Sequence, residues 1–164
     1  MAKSTPLFTN RHDLPAAARE QLVVLLNQQL ADTTDLFTMT KHAHWNVKGP
    51  NFIALHKLFD ELAETVLEFT DEIAERATAL GGLAHGTSRN VASQSRLPEF
   101  PADATRWDAV VTALADRYAH LAKSTREAIS KSDDLGDADA ADLFTQISRE
   151  LDKSLWFLEA HLQG

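Results

Sequence analysis

Apolar residues return every three or four positions through four long stretches of this chain, a periodicity that fits little besides a helical bundle. The first stretch carries Leu22, Leu25, Leu26, Leu30, Leu36 and Phe37. Asp13 and Pro15 read as its start, with the aspartate near the cap, and Lys48-Gly49-Pro50 breaks the pattern after about Trp45. The second runs from about Asn51 to Leu80 through Leu55, Leu58, Phe59, Leu62, Val66, Phe69, Ile73 and Ala77, and Gly81-Gly82 ends it. The third, with Asp103 as its cap, passes through Trp107, Val110, Leu114, Tyr118 and Leu121 to about Lys131. The fourth spans about Asp139 to Leu162 and carries Leu143, Ile147, Leu151, Leu155 and Leu158.

The connections are short, long and short. Residues 83–102 form the long one, with Pro98 and Pro101, and its middle, Thr87 to Ser95, suits a short helix because structureless loops of that length are unusual. The polar stretch Ser132 to Asp137 reads as a turn. Together these features predict an all-α fold: an antiparallel, ferritin-like four-helix bundle with a short extra helix in the crossover between helices two and three. A chain of 164 residues suffices for one domain over 1–164, with residues 1–12 as a flexible leading segment.

Composition removes several function classes. There is no cysteine, so a disulfide scaffold is excluded and the reading leans cytoplasmic. Neither a signal-peptide core nor an apolar run of membrane-spanning length occurs. The formal net charge of −8 repels nucleic acid at long range and attracts cations.

Four potential metal ligands lie on the second helix: His56, Asp60, Asp71 and Glu75. At about 100° per residue they fall near 0°, 40°, 60° and 100°, whereas the apolar positions cluster at roughly 200° to 300°. The ligands make one stripe, nearly opposite the core. Asp60 and Asp71 are separated by about 16.5 Å along the axis, too far for one metal ion within a single helix. Yet the pairs 56/75 and 60/71 share a midpoint between Thr65 and Val66. Two copies packed antiparallel about that point would set His56 against the second copy's Glu75 and Asp60 against its Asp71. Two equivalent sites would then form across a two-fold axis. Leu67, Ala63, Ala74 and Thr78 fall at about 340° to 40° and suit such a contact. His44, in the last turn of the first helix, adds a fifth ligand beside His56 and Asp60. Mixed imidazole and carboxylate donors favour iron(II), zinc or manganese over calcium. Acids at helical spacing also form ordinary solvated faces, and Glu61, Glu64, Glu68 and Glu72 are read partly that way.

The segment from Lys41 to Phe52, KHAHWNVKGPNF, with Leu55-His56, Phe59-Asp60-Glu61, Asp71 and Ala74-Glu75-Arg76-Ala77, closely resembles the Dps family, DNA-binding proteins from starved cells. The stretches Ala141 to Phe144, Ser148 to Lys153 and Leu155 to Leu162 are similar to it as well. The resemblance implies a dodecameric shell whose ferroxidase sites lie at dimer interfaces, where His44, His56 and Asp60 meet Asp71 and Glu75 of a neighbour. It implies oxidation of iron(II), with hydrogen peroxide as the preferred oxidant, storage of the ferric product and protection from oxidative damage. It also places Trp45 where stray oxidising equivalents are taken up; packing is the other role open to that aromatic. His42 points about 200° away from His44 and is not counted as a ligand.

DNA compaction in the nucleoid, with secondary iron chemistry, is the alternative function. The first twenty residues hold only Lys3, Arg11 and Arg19 against Asp13 and Glu20, and no basic run precedes Gly164. A shell of twelve would multiply an already negative charge, which disfavours phosphate contact. An ordinary ferritin centre inside one bundle needs Glu-x-x-His motifs, and the sequence has none. One cluster remains: Asp133, Asp134, Asp137, Asp139 and Asp142. By the resemblance, the start of the final helix lies at a three-fold axis. A ring of these acids there would draw cations into a pore, with Asp137 and Asp142 foremost. Helix capping competes with that role, most of all for Asp139.

Overall fold

The computed structural model describes residues 7–163. Five helices follow in order: α1 (Ala16–Asn46), α2 (Phe52–Ala79), α3 (Ser88–Gln94), α4 (Trp107–Asp134) and α5 (Ala138–Ala160). No strand forms among the described residues; the one β-type pairing is an isolated backbone bridge. Helices α1 and α2 make one hairpin and α4 and α5 another. The α1 helix also packs on α4, and α3 lies against α1. Leu22, Leu26, Leu55, Phe59, Leu114, Tyr118, Leu121 and Phe144 are fully buried between the hairpins. Each such side chain contributes about 1.5–3 kcal/mol of burial.

Two glycines set the helix ends that carry the bundle. At the end of α2, Gly81 N–H donates to Thr78 O and Gly82 N–H to Ala77 O, at 2.9 and 3.0 Å, with Gly81 at φ 93°. At the end of α4, Gly136 donates to Asp133 O and Asp137 to Ser132 O, at 2.9 and 3.0 Å, with Gly136 at φ 80°. Both are Schellman closures, in which a left-handed residue turns the chain while the last carbonyls are satisfied. The second reverses the chain within Leu135-Gly136-Asp137, so α4 runs further and the turn is shorter than the polar stretch suggested.

The start of α4 departs from its sequence signal. Asp103 does not cap it. Residues 101–104 form a turn, with Ala104 N–H on Pro101 O, and the helix begins at Trp107. The backbone just before α4 is instead held by the α1–α2 connection: Lys48 N–H donates to Thr105 O at 2.7 Å and Trp107 N–H to Lys48 O at 3.0 Å. Gly49 permits this approach, because a Cβ there would stand 2.8 Å from Trp107 Cδ1. The described part of the leading segment makes contacts with the rest of the chain. Residues 1–6 lie outside the described residues, but Phe8 N–H donates to Gly81 O, and Arg19 binds both Asn10 Oδ1 and Leu80 O.

Candidate metal site

His44 lies in the last turn of α1, where backbone carbonyls lose their helical partners. The amide that would have served His44 O, that of Lys48, is bound to Thr105 O. His56, in the second turn of α2, comes within 2.9 Å of His44 O through Nδ1. The relation is reciprocal: His44 Nδ1 lies 2.6 Å from His56 O. The two rings stack with centroids 3.8 Å apart and planes 19° from parallel. A carbonyl only accepts, so each Nδ1 carries a proton, and Nε2 is the nitrogen left to face a metal when a ring is neutral. Two imidazoles thus stand face to face, oriented by their backbone contacts with Nε2 as the nitrogen available to a metal.

Asp60 follows His56 by one turn of α2. Its Oδ1 lies 3.8 Å from His44 Nε2, and its side chain is 43% exposed. The same oxygen accepts from Lys41 Nζ at 2.5 Å. That hydrogen bond is the main cause holding the Asp60 carboxyl below its ordinary pKa; the charges of His44, Lys41 and His56 add to it, against partial desolvation. The carboxyl is therefore an anion across the neutral range. Lys41 did not figure among the expected site residues. The signal was present: it precedes His44 by three residues and Trp45 by four, so all three share a face of α1.

Asp71 and Glu75 are exposed on the distal half of α2, away from the histidines. Among the described residues, no three His, Asp or Glu side chains of this one subunit converge to hold a metal ion. His44 meets His56 and Asp60 pairwise without the three closing on a common point, and Asp71 and Glu75 lie apart from them. Near the midpoint of the stripe, Leu67 is 48% exposed, a large apolar side chain facing solvent on the ligand side. Ala63 is buried in the monomer and does not belong to that outer face; Thr78 is exposed and Ala74 half-buried. Trp45 is 67% exposed, with the Lys41 ammonium 5.9 Å from its ring centroid. Its ring is not a core packing element of this subunit. His42 turns away, as its helix position requires: its Nε2 lies 3.2 Å from Ala102 O and its ring meets the edge of Phe100.

The acidic cluster divides. Asp133, Asp134, Asp139 and Asp142 are exposed. Asp137 is 3% exposed, and here the expectation of a pore-lining side chain needs correction. Its Oδ1 accepts from Ala140 N–H at 3.2 Å, capping α5, and from Arg76 at 2.5 Å. The carboxylate is committed to the helix start and to a half-buried guanidinium. Asp139 does not cap, and it reaches Arg76 only at 3.5 Å.

Residues 23–164 match the ferritin-like domain family. A DNA protection during starvation protein of Agrobacterium fabrum is 46% identical over 93% of this chain and 94% of its own length. The protein of the same name from Mycolicibacterium smegmatis is 37% identical over 85% of this chain and 76% of its own. The chain belongs to the Dps family of ferritin-like proteins. Among solved structures, a tetragonal form of Mycobacterium smegmatis Dps superposes with a TM-score of 0.91 at 33% identity, covering 96% of both chains. An archaeal Dps homologue from Halobacterium salinarum reaches 0.92 at 29% identity, covering 99% of this chain and 90% of that one. No described helix is long and apolar enough to cross a membrane.

Proposed function

We propose that this Dps protein is a ferroxidase and iron store. It oxidises iron(II) at sites shared between two subunits and keeps the ferric product inside a dodecameric shell. The observation that carries the reading is the reciprocal pinning of His44 and His56 through Nδ1, which leaves both Nε2 atoms to a metal, with His44 Nε2 3.8 Å from Asp60 Oδ1. Such a trio is an incomplete ligand set. The exposed Asp71 and Glu75, spaced symmetrically with Asp60 and His56 about residues 65 and 66, supply the rest when two α2 helices pair antiparallel. Iron(II) is the substrate; zinc and manganese suit the same donors. With hydrogen peroxide as oxidant, two iron(II) ions each give up one electron, the O–O bond breaks, and two protons are taken up to yield two waters. Trp45, exposed and one residue from His44, is placed to absorb a stray oxidising equivalent.

DNA is the weaker partner on this reading. The chain carries 24 acidic against 16 basic residues, so a closed shell repels phosphate at long range. Asp60→Ala and Glu75→Ala should each abolish rapid iron(II) oxidation, read by stopped-flow absorbance, with helix content unchanged. Because Asp60 and Glu75 sit at opposite ends of the stripe, loss in both variants requires a site shared between copies. Wild-type rates in either variant would sink the assignment.

A further inference from the structure

The junction of α2, α4 and α5 holds a polar cluster that the iron chemistry described above does not use. Arg76 on α2 meets Asp137, the cap of α5, and Asp137 N–H closes on Ser132 O at the end of α4. Glu72 stands one turn before Arg76 on α2. The contact between Arg76 and Asp137 is only half of the fork that a guanidinium and a carboxylate can make. Nη2 reaches Oδ1 at 2.5 Å, and Oδ1 also takes Ala140 N–H, so the carboxylate is turned to the helix start. Arg76 Nε and Asp137 Oδ2, the other arms of the two groups, have no hydrogen-bond partner within the protein, and neither have Ser132 Oγ and Glu72 Oε2. Among the described residues five buried side-chain atoms are left in this condition, and four of them belong to this one cluster. Ser132 is fully buried and the Asp137 side chain is 2% exposed, so bulk solvent does not reach them.

We propose that this junction is a binding site for one buried water molecule, shared by the three helices. The chemistry of the unpaired atoms selects the ligand. Nε–H is a donor and needs an acceptor. Oδ2 and Oε2 are acceptors and need donors, and the serine hydroxyl serves as either. A metal ion or an ammonium would satisfy the carboxylates but leave Nε–H facing a positive charge. An anion would satisfy Nε–H but stand against two carboxylates. Water accepts from Nε–H while donating one proton to Oδ2 and the other to Ser132 Oγ or Glu72 Oε2. That is the set of about three bonds by which a buried water relieves groups that are expensive to leave unpaired. The water carries the second arm of the fork around the corner that the α5 cap imposes, so it completes the ion pair. It also ties α2, the helix of the ligand stripe, to the α4–α5 turn through a ligand as well as through direct contacts. The inference stands apart from the iron reading, because none of these four residues is a proposed metal ligand there.

The test is a high-resolution crystal structure of the full chain, with Ser132→Ala and Ser132→Val alongside. We expect one ordered peak per subunit at hydrogen-bond distance, about 2.7–3.2 Å, from both Arg76 Nε and Asp137 Oδ2. Ser132→Ala should keep the peak, since it removes one partner and opens space. Ser132→Val, whose branched side chain takes the place of the hydroxyl and fills the site, should lose it and melt several degrees below Ser132→Ala. Direct closure of Nε on Oδ2 with no peak between them overturns the proposal. So does a peak at metal–oxygen distance from the carboxylates, about 2.0–2.6 Å, which would make the occupant a cation. A peak kept in Ser132→Val at the stability of Ser132→Ala would place the water away from α4 and overturn the shared site. If Ser132→Val does not fold, the wild-type and Ser132→Ala maps decide alone.

Discussion

Asp60 and Asp137 each accept a hydrogen bond from a basic side chain at 2.5 Å, one near each end of α2, and the two pairs do different work. The Lys41–Asp60 pair is partly open, with the acid 43% exposed; in the Arg76–Asp137 pair the acid side chain is 2% and the arginine 16% exposed. Asp137 also caps α5 and supplies the last amide of the α4 closure, so its position is fixed by two helices before any ion arrives. Asp60 sits inside α2 with no capping duty, and water or a cation can compete for its partner. The same pair of charges is thus structural where the backbone consumes it and adjustable where it does not. Exposure and local backbone need, rather than the presence of an acid, mark a carboxylate that can bind a visitor.

The largest expected effect breaks the closed pair. Replacing Arg76 with methionine leaves a buried carboxylate without its cation, a change that typically costs ~3–5 kcal/mol. The variant should melt well below wild type in scanning calorimetry, and an unchanged melting temperature would place Asp137 in a wetter environment than its burial indicates. Next come the exposed acids beside Asp137. If the proposed shell draws iron in past them, Asp139→Asn with Asp142→Asn should slow iron uptake at low ionic strength, and the difference should shrink as salt screens these charges. Equal uptake at low salt would leave these acids with only their place beside a helix start. The smallest effect tests the open pair. Lys41→Met should leave the urea midpoint unchanged, since exposed pairs contribute little. A large drop would show that Lys41 and Asp60 hold the hairpin together and are not free to serve a metal.

Much of this architecture was legible in the residues. The four apolar periodicities and Gly81 gave the helices and the end of α2, because helical spacing and left-handed closure have strong local signatures. The placement of His44 against His56 and Asp60 was legible because a stripe opposite the core is a property of one helix and its neighbouring turn. Asp103 misled because a cap signal is local, whereas the start of α4 is set by Lys48 reaching across from another hairpin. Asp137 misled for a related reason: an N-cap and a pore acid are the same residue type at the same place, and only the approach of Arg76, 61 positions away, separates them. Lys41 was missed because its partner lies 19 residues off, on the next helix.

The crossed contacts between His44 and His56 also bear on how this region can vary. Surface connections between helices usually accept an added or lost residue, since each doubling of loop length costs only about 0.6 kcal/mol in closure. Here the connection from Val47 to Asn51 lies between two rings that hold each other's backbone, and Lys48 within it also clasps the start of α4. Adding one residue would have to move either an imidazole or a helix. The hairpin is therefore a gauge: its length is calibrated by those two side chains, and a stretch of chain that looks like a linker has a fixed size.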